Sequence, residues 1–162
     1  MKNLTGKLMV LVILICGVLG CDNNAELLPG AARTSLTEAW PDAAIKKVKQ
    51  NQAGDLTLYE VDLKQSKHKS EVTLAADGTI LDIEEHLPAS SVPDAVAAAF
   101  FKASGGAKPW QIEREEVRAM IQNGKVVALD SPTVVYELTY LKWVVVPREI
   151  ELTPEGKILK DD

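Results

Sequence analysis

The chain repeats itself, and the repeat limits what it can fold into. Leu28-Pro29-Gly30-Ala31-Ala32 is answered by Val92-Pro93-Asp94-Ala95-Val96, at an offset of 64. Tyr59-Glu60-Val61 is answered by Tyr136-Glu137-Leu138, at an offset of 77. EVTLAADGTIL at 71–81 is answered by EIELTPEGKIL at 149–159, at an offset of 78 with five identities in eleven. The jump in offset places about thirteen extra residues in the second copy, near 121–133, as a loop or an extended hairpin. A chain with this pattern is built from two copies of one small unit, a first at 28–87 and a second at 92–160.

Each copy opens with a helix. In the second, Ser91-Val92-Pro93-Asp94 is a capping pattern with proline in the first turn, Val92, Val96, Phe100 and Ala103 form a stripe at helical spacing, and Gly105-Gly106 ends it. In the first, Pro29 opens the helix, Pro41 stops it after Trp40, and Leu28, Ala32, Leu36 with Ala39 or Trp40 make the matching stripe. Strands follow at 45–50, 56–63, 111–120 and 134–146. Ala75-Ala76-Asp77-Gly78 and Thr153-Pro154-Glu155-Gly156 each suit a type I turn followed by a left-handed glycine, closing a hairpin. Each copy therefore reads α-β-β-β-β. The fold class is α+β, a tandem duplication with antiparallel sheets and one helix packed on each. The two sheets can join edge to edge or pack end to end.

These motifs, in this order, resemble the PepSY-like group. They are a Pro-x-Ala helix start, a Trp-Pro-x-Ala or Gly-Gly-Ala stop, a Tyr-Glu-Val or Tyr-Glu-Leu strand, and a closing hairpin ending Gly-x-Ile-Leu. Members of that group are small exported bacterial domains, often lipoproteins, whose duplicated α-β4 layout is similar to the β-lactamase inhibitor protein. The resemblance covers roughly 28–160, and its departures are the insertion near 121–133 and a first helix interrupted by Gly30, Thr34 and Ser35. It implies a binding or inhibitory module in the cell envelope and implies no reaction.

The first twenty residues agree with export. Lys2 and Lys7 precede an unbroken run of apolar residues and glycine at 8–19, too short for the roughly 20 residues that span a bilayer. Val18-Leu19-Gly20-Cys21 resembles the bacterial lipobox, which makes Cys21 the expected lipidation site and 22–27 a short polar tether. Cleavage before Cys21 removes two lysines and no acid, so 18 basic residues become 16 against 23 acidic ones, net −7. Cys16 leaves with the signal and Cys21 goes to lipid, so the exported domain holds no thiol. The expected location is the envelope, on the periplasm-facing membrane in a Gram-negative host. An acidic domain of this kind is not a nucleic-acid binder.

Few residues suit chemistry. His68 and His86 are the available imidazoles, and no Gly-x-Ser-x-Gly elbow, phosphate loop or dinucleotide fingerprint occurs, so neither an enzyme nor a cofactor is expected. The two histidines flank the first closing hairpin. The register set by its turn makes them cross-strand neighbours with Glu84 close by, the basis of an alternative metal-binding or catalytic role. The register that pairs Val72 with Ile83 puts them on opposite faces. Glu84-Glu85, Glu113, Glu115-Glu116 and Asp161-Asp162 read as solvated sheet edges, with Glu113 and Glu115 on one face and Glu116 on the other. Tyr59, Tyr136, Tyr140 and Trp143 lie on strands and are the candidate partner-binding residues if they stand on an open sheet face; otherwise they are core. The expected function is a membrane-anchored module that docks an envelope protein or peptide and restrains a peptidase or another hydrolase.

Overall fold

Proline sets both helices. In the computed structural model, which describes residues 25–142 and 146–161, α1 spans Gly30–Ala39 and α2 spans Asp94–Ala103. Pro29 and Pro93 precede them at φ −56 and −58, where a missing N–H costs nothing. Asp94 in the first turn of α2 and Lys102 in its last complement the helix dipole. Helix α1 buries Ala32 and Leu36, and α2 buries Val96 and Phe100. Leu28 and Trp40 extend the first stripe into the core, whereas Ala39 faces solvent.

The strands are β1 (Ala44–Ala53), β2 (Leu56–Gln65), β3 (His68–Ala75), β4 (Ile80–His86), β5 (Gln111–Gln122), β6 (Lys125–Lys142), β7 (Val146–Leu152) and β8 (Ile158–Asp161). They form one sheet in sequence order, every neighbour antiparallel. The choice the sequence left open is settled edge to edge: β4 of the first half pairs with β5 of the second, with Ile83 opposite Glu116 and Glu84 opposite Glu115. Both helices lie on one face. Beneath α1, Tyr59, Val61, Leu63, Val72, Leu74 and Ile83 form one core; beneath α2, Ile112, Tyr136, Leu138, Tyr140, Ile150 and Leu152 form the other.

The two conflicting registers of the first closing hairpin both occur. At the turn, Ala75 donates its N–H to Thr79 at 2.9 Å and Leu74 stands opposite Ile80. One residue further a bulge intervenes, and Thr73 meets Asp82 while Val72 meets Ile83. The second hairpin does the same: Leu152 meets Ile158, then Glu151 meets Lys160. The inserted residue is Leu81 in one half and Leu159 in the other.

Glycine fastens each hairpin to its helix. Gly78 has φ +90, and a Cβ there would lie 2.5 Å from Ser35 Oγ and 2.8 Å from the Ala31 carbonyl. Gly156 has φ +80, and a Cβ would lie 2.5 Å from the Ala95 carbonyl. The left-handed turn and the close helix approach both demand a residue without a side chain.

The β5–β6 hairpin runs past the end of β4. It turns at Asn123-Gly124, both at positive φ (52 and 71), as a two-residue hairpin turn requires. Val117 pairs with Thr133, but Ala119 pairs with Ala128, so four residues of β6 (129–132) bulge against one of β5. Beyond that bulge Ala119, Ile121 and Val126 pack with Ala53, Leu58, Ala75 and Leu81, a third small core on the face away from the helices.

Candidate functional site

Strand alternation assigns the other residues of that second face. On β2, Tyr59, Val61 and Leu63 point to the helices, so Leu58, Glu60 and Asp62 point away. Register carries the assignment across the sheet. Asp62 meets Glu71, Glu71 meets Glu84, and Glu84 meets Glu115, placing four carboxylates side by side on β2 to β5. A second row meets at one end: His86 opposite Glu113, Glu113 opposite Glu137, and Glu137 opposite Glu151. Adjacent strands are about 4.8 Å apart, and like charges directly opposite destabilise a sheet. The helix-free face is therefore a continuous acidic band across the junction of the two halves.

The chain supplies cations at both flanks of this band. Lys49 on β1 pairs with Glu60 and lies 3.9 Å from Glu71. Asn51 adds a 3.3 Å hydrogen bond to Glu60. Lys160 on β8 lies 3.1 Å from Glu149 and 3.5 Å from Glu151. These lysines explain how Glu60 and Glu151 can be 7% and 8% exposed: a buried carboxylate needs a partner. Two groups of three carboxylates bring their oxygens within 4.8 Å of one another, Glu60-Asp62-Glu71 and Glu137-Glu149-Glu151. Each contains carboxylates already paired with one of these lysines.

Between the flanks, Asp82, Glu84 and Glu115 have no lysine or arginine nitrogen within 4.0 Å among the described residues. Their protonation reflects it. Burial pushes Asp82 up to about 7, with Glu115 and Glu71 adding repulsion against a hydrogen bond from Thr73. Burial also pushes Glu84 up to about 7, reinforced by Glu71, Glu113, Asp82 and Glu115. Glu137 rises to about 8 through burial and then Glu149, which shares a hydrogen bond with it. Glu71 and Glu115 are raised too, burial first in each, with Lys49 opposing the rise at Glu71. Desolvation and like charge act in the same direction throughout.

The helix-side surface of the same junction is balanced. Arg114 lies 2.6 Å from Glu116 and 3.4 Å from Glu85, and Arg118 lies 2.8 Å from Glu116. Glu116 is held below the usual carboxylate range, chiefly by the hydrogen bond from Arg114. Glu84-Glu85 and Glu113 to Glu116 thus lie on the two central strands, not at sheet edges as the sequence suggests. Alternation sends Glu85 and Glu116 to arginines, and Glu84, Glu113 and Glu115 to the acidic face.

The histidines separate. His86 lies on the acidic face with Nδ1 3.2 Å from Glu113, whereas His68 falls on the opposite side of the sheet. The register beyond the bulge removes the pair as a shared ligand set. Tyr59, Tyr136 and Tyr140 are 7%, 8% and 4% exposed and belong to the helix-covered cores, with Tyr140 packed edge-on against Phe100 at 5.6 Å. The open face therefore presents carboxylates where the sequence suggested rings. Trp143 and Cys21 lie outside the described residues. Phe101 and Trp110, which the sequence reading did not single out, are 64% and 61% exposed. Phe101 lines an apolar cavity of about 270 Å³ together with Val92, Pro109 and Ile112.

No protein-family model and no curated protein matches the chain. Solved structures do. A BLIP-like protein from Bacteroides fragilis is 19% identical, with 87% of this chain covering 90% of that one at a TM-score of 0.60. A candidate periplasmic protein from Bacteroides eggerthii is 16% identical, with coverage of 83% and 88% at 0.64. A DUF2874 family protein from Bacteroides uniformis is 14% identical, with coverage of 83% and 88% at 0.64. At these identities the likeness is one of fold: two helices, each preceding four antiparallel strands, shared with BLIP-like and DUF2874 proteins of Bacteroides over nearly the whole of each chain.

Proposed function

We propose that the protein is an exported, lipid-anchored binding module of PepSY-like type that docks a protein partner on the helix-free face of its sheet. The observation that carries this reading is the acidic band itself. A sheet face spanning eight strands, left open by both helices and crossed by carboxylates in register, costs folding energy through repulsion and desolvation. A partner that neutralises the band recovers that energy on binding. The likeness to a BLIP-like protein supports a protein partner, and the likeness to a candidate periplasmic protein supports an envelope location. The lipobox-like Cys21 supplies the anchor, and the polar residues 22–27 the short tether. The module acts by binding, with restraint of a peptidase or another hydrolase as its effect. The face would repel the phosphates of nucleic acid.

Site-specific photo-cross-linking in the native host tests it. Cross-linkers at Thr73 and Thr133, on the open face, should yield a discrete adduct, and one at the exposed Glu38 on α1 should not. Equal adducts from both faces, or none from the open face, would remove the docking assignment.

A further inference from the structure

We propose that the partner seats a lysine or arginine side chain among Glu71, Asp82, Glu84 and Glu115, at the junction of the two halves. This rests on the docking reading above and names the chemistry of what docks.

The chain itself demonstrates the seat twice. In the first half, Lys49 spans Glu60 and Glu71. In the second, Lys160 spans Glu149 and Glu151. Carboxylates of this face are thus spaced to receive an ammonium group both across neighbouring strands, as Glu60 and Glu71 do, and two residues apart on one strand, as Glu149 and Glu151 do. The halves differ in where their own cation stands. Asp82 occupies on β4 the place that Lys160 occupies on β8, since each follows the same bulge and meets the equivalent strand. Glu113 occupies on β5 the place of Lys49 on β1: Lys49 stands opposite Glu60, and Glu113 stands opposite Glu137. Both exchanges remove a cation and add an acid, and both fall on the two strands that join the halves. At the centre of the band Asp82, Glu84 and Glu115 are left with no lysine or arginine nitrogen within 4.0 Å among the described residues, and Lys49 reaches only their neighbour Glu71, at 3.9 Å.

A bare divalent ion fits this place less well. The carboxylate groups gathered within 4.8 Å among the described residues are the two flanking ones, not a set containing Asp82, Glu84 or Glu115. Four carboxylates spread across three neighbouring strands match a guanidinium, whose donors are distributed over a plane, or a lysine presented from a docked surface. Near-neutral protonation of Asp82 and Glu84 adds a signature: an incoming cation lowers both groups and expels protons.

Titration calorimetry of the full chain in neutral detergent tests the seat. The probe is a blocked Gly-Arg-Gly-Arg-Gly-Arg peptide at pH 7 and low ionic strength, about 20 mM salt. Its extended form puts the arginines on one face. Binding should release protons, read as a heat that varies with buffer ionisation enthalpy. It should weaken at least tenfold in a Glu84→Gln/Glu115→Gln double variant and be lost with a citrulline peptide. Asp82→Lys, which fills the seat from within, should abolish binding while the protein melts no lower than the parent. Binding that ignores these substitutions overturns the seat, as does absence of binding. Calcium chloride alone binding at the same residues more tightly than the peptide would overturn it in favour of a metal site. Open-face cross-links with no dependence on Glu84 and Glu115 would overturn the seat and leave the docking reading standing. Missing open-face cross-links would instead overturn the docking reading.

Discussion

Asp82 and Lys160 stand at the same place in the two halves of the sheet and carry opposite charge. Each is the residue after a bulge, opposite Thr73 and Glu151 respectively. Lys160 answers Glu149 and Glu151, while Asp82 adds its own charge to Glu71, Glu84 and Glu115. Replacing Asp82 with lysine should therefore stabilise the protein, by about 1 kcal/mol at pH 8 from relieved repulsion and a partly exposed ion pair. Thermal melts at pH 8 and pH 5 check this. The gain should shrink at pH 5, where the parent carboxyls already carry protons.

The same band makes the protein more stable in mild acid. Asp82, Glu84 and Glu137 hold protons up to about 7, 7 and 8 in the folded state, and release them near 4 when unfolded. Between these values the folded state binds more protons, so stability falls as pH rises. The contribution is complete below about pH 4 and lost as pH passes 7 to 8. Glu116 and Asp77, whose folded values are lowered, act oppositely: their contribution is present above the ordinary carboxylate range and lost below it. The melting temperature should therefore peak at mildly acidic pH and drop by several degrees towards pH 8.5. A flat profile from pH 5.5 to 8.5 would contradict the proton assignments.

Gly78 and Gly156 should each resist substitution by alanine. The positive φ alone costs about 1 kcal/mol. The Ala31 and Ala95 carbonyls stand 2.8 and 2.5 Å from the new methyl, so the hairpin must also lift from its helix. Urea denaturation should show losses of about 2 kcal/mol or more for each. Gly54, also at positive φ but with nothing within 4 Å of its Cβ, should lose only the conformational part when changed to alanine.

What the sequence disclosed and what it hid follow from the range of the signals involved. Helices framed by Pro29, Pro41, Pro93 and Gly105-Gly106, and hairpins closed by Gly78 and Gly156, are written within a few residues. The bulge at Leu81 was visible as a conflict, because turn chemistry and the Val72–Ile83 pairing demanded different registers. The tyrosines were legible in parity: Tyr59 shares its side of β2 with Val61 and Leu63, which predicts core. The tip of the long hairpin carries a local signal of the same kind in Asn123-Gly124, whereas the repeat offsets give only a loop or an extended hairpin near 121–133. The acidic band was not legible. Its members run from Glu60 on β2 to Glu151 on β7, and only the β4–β5 pairing makes neighbours of Glu84 and Glu115.

Membrane attachment should depend on one sulfur. Cys21→Ala removes the proposed lipidation site and leaves residues 25–161 untouched, so the variant should move from the membrane to the soluble fraction of fractionated cells. Open-face cross-linking in the released protein should then fall, because tethering raises the effective concentration of a partner held at the same membrane. Continued sedimentation with membranes would refute the anchor.

The small core on the acidic face sets how far the long hairpin moves with the rest of the sheet. Ala119 is 3% exposed and packs with Leu58, Ala75 and Leu81, so the tip of the second-half hairpin rests on strands of the first half. Ala119→Asp would place a carboxylate among these apolar side chains, a burial costing about 2–4 kcal/mol if the site stayed closed. The hairpin has a cheaper response, which is to lift away while the two helix-covered cores remain. Hydrogen exchange distinguishes the two. Amides of 119–128 should lose protection in the variant, while those of Val61, Val72, Leu138 and Ile150, in the two main cores, should keep theirs. Loss of protection throughout would show instead that this contact holds the two halves together.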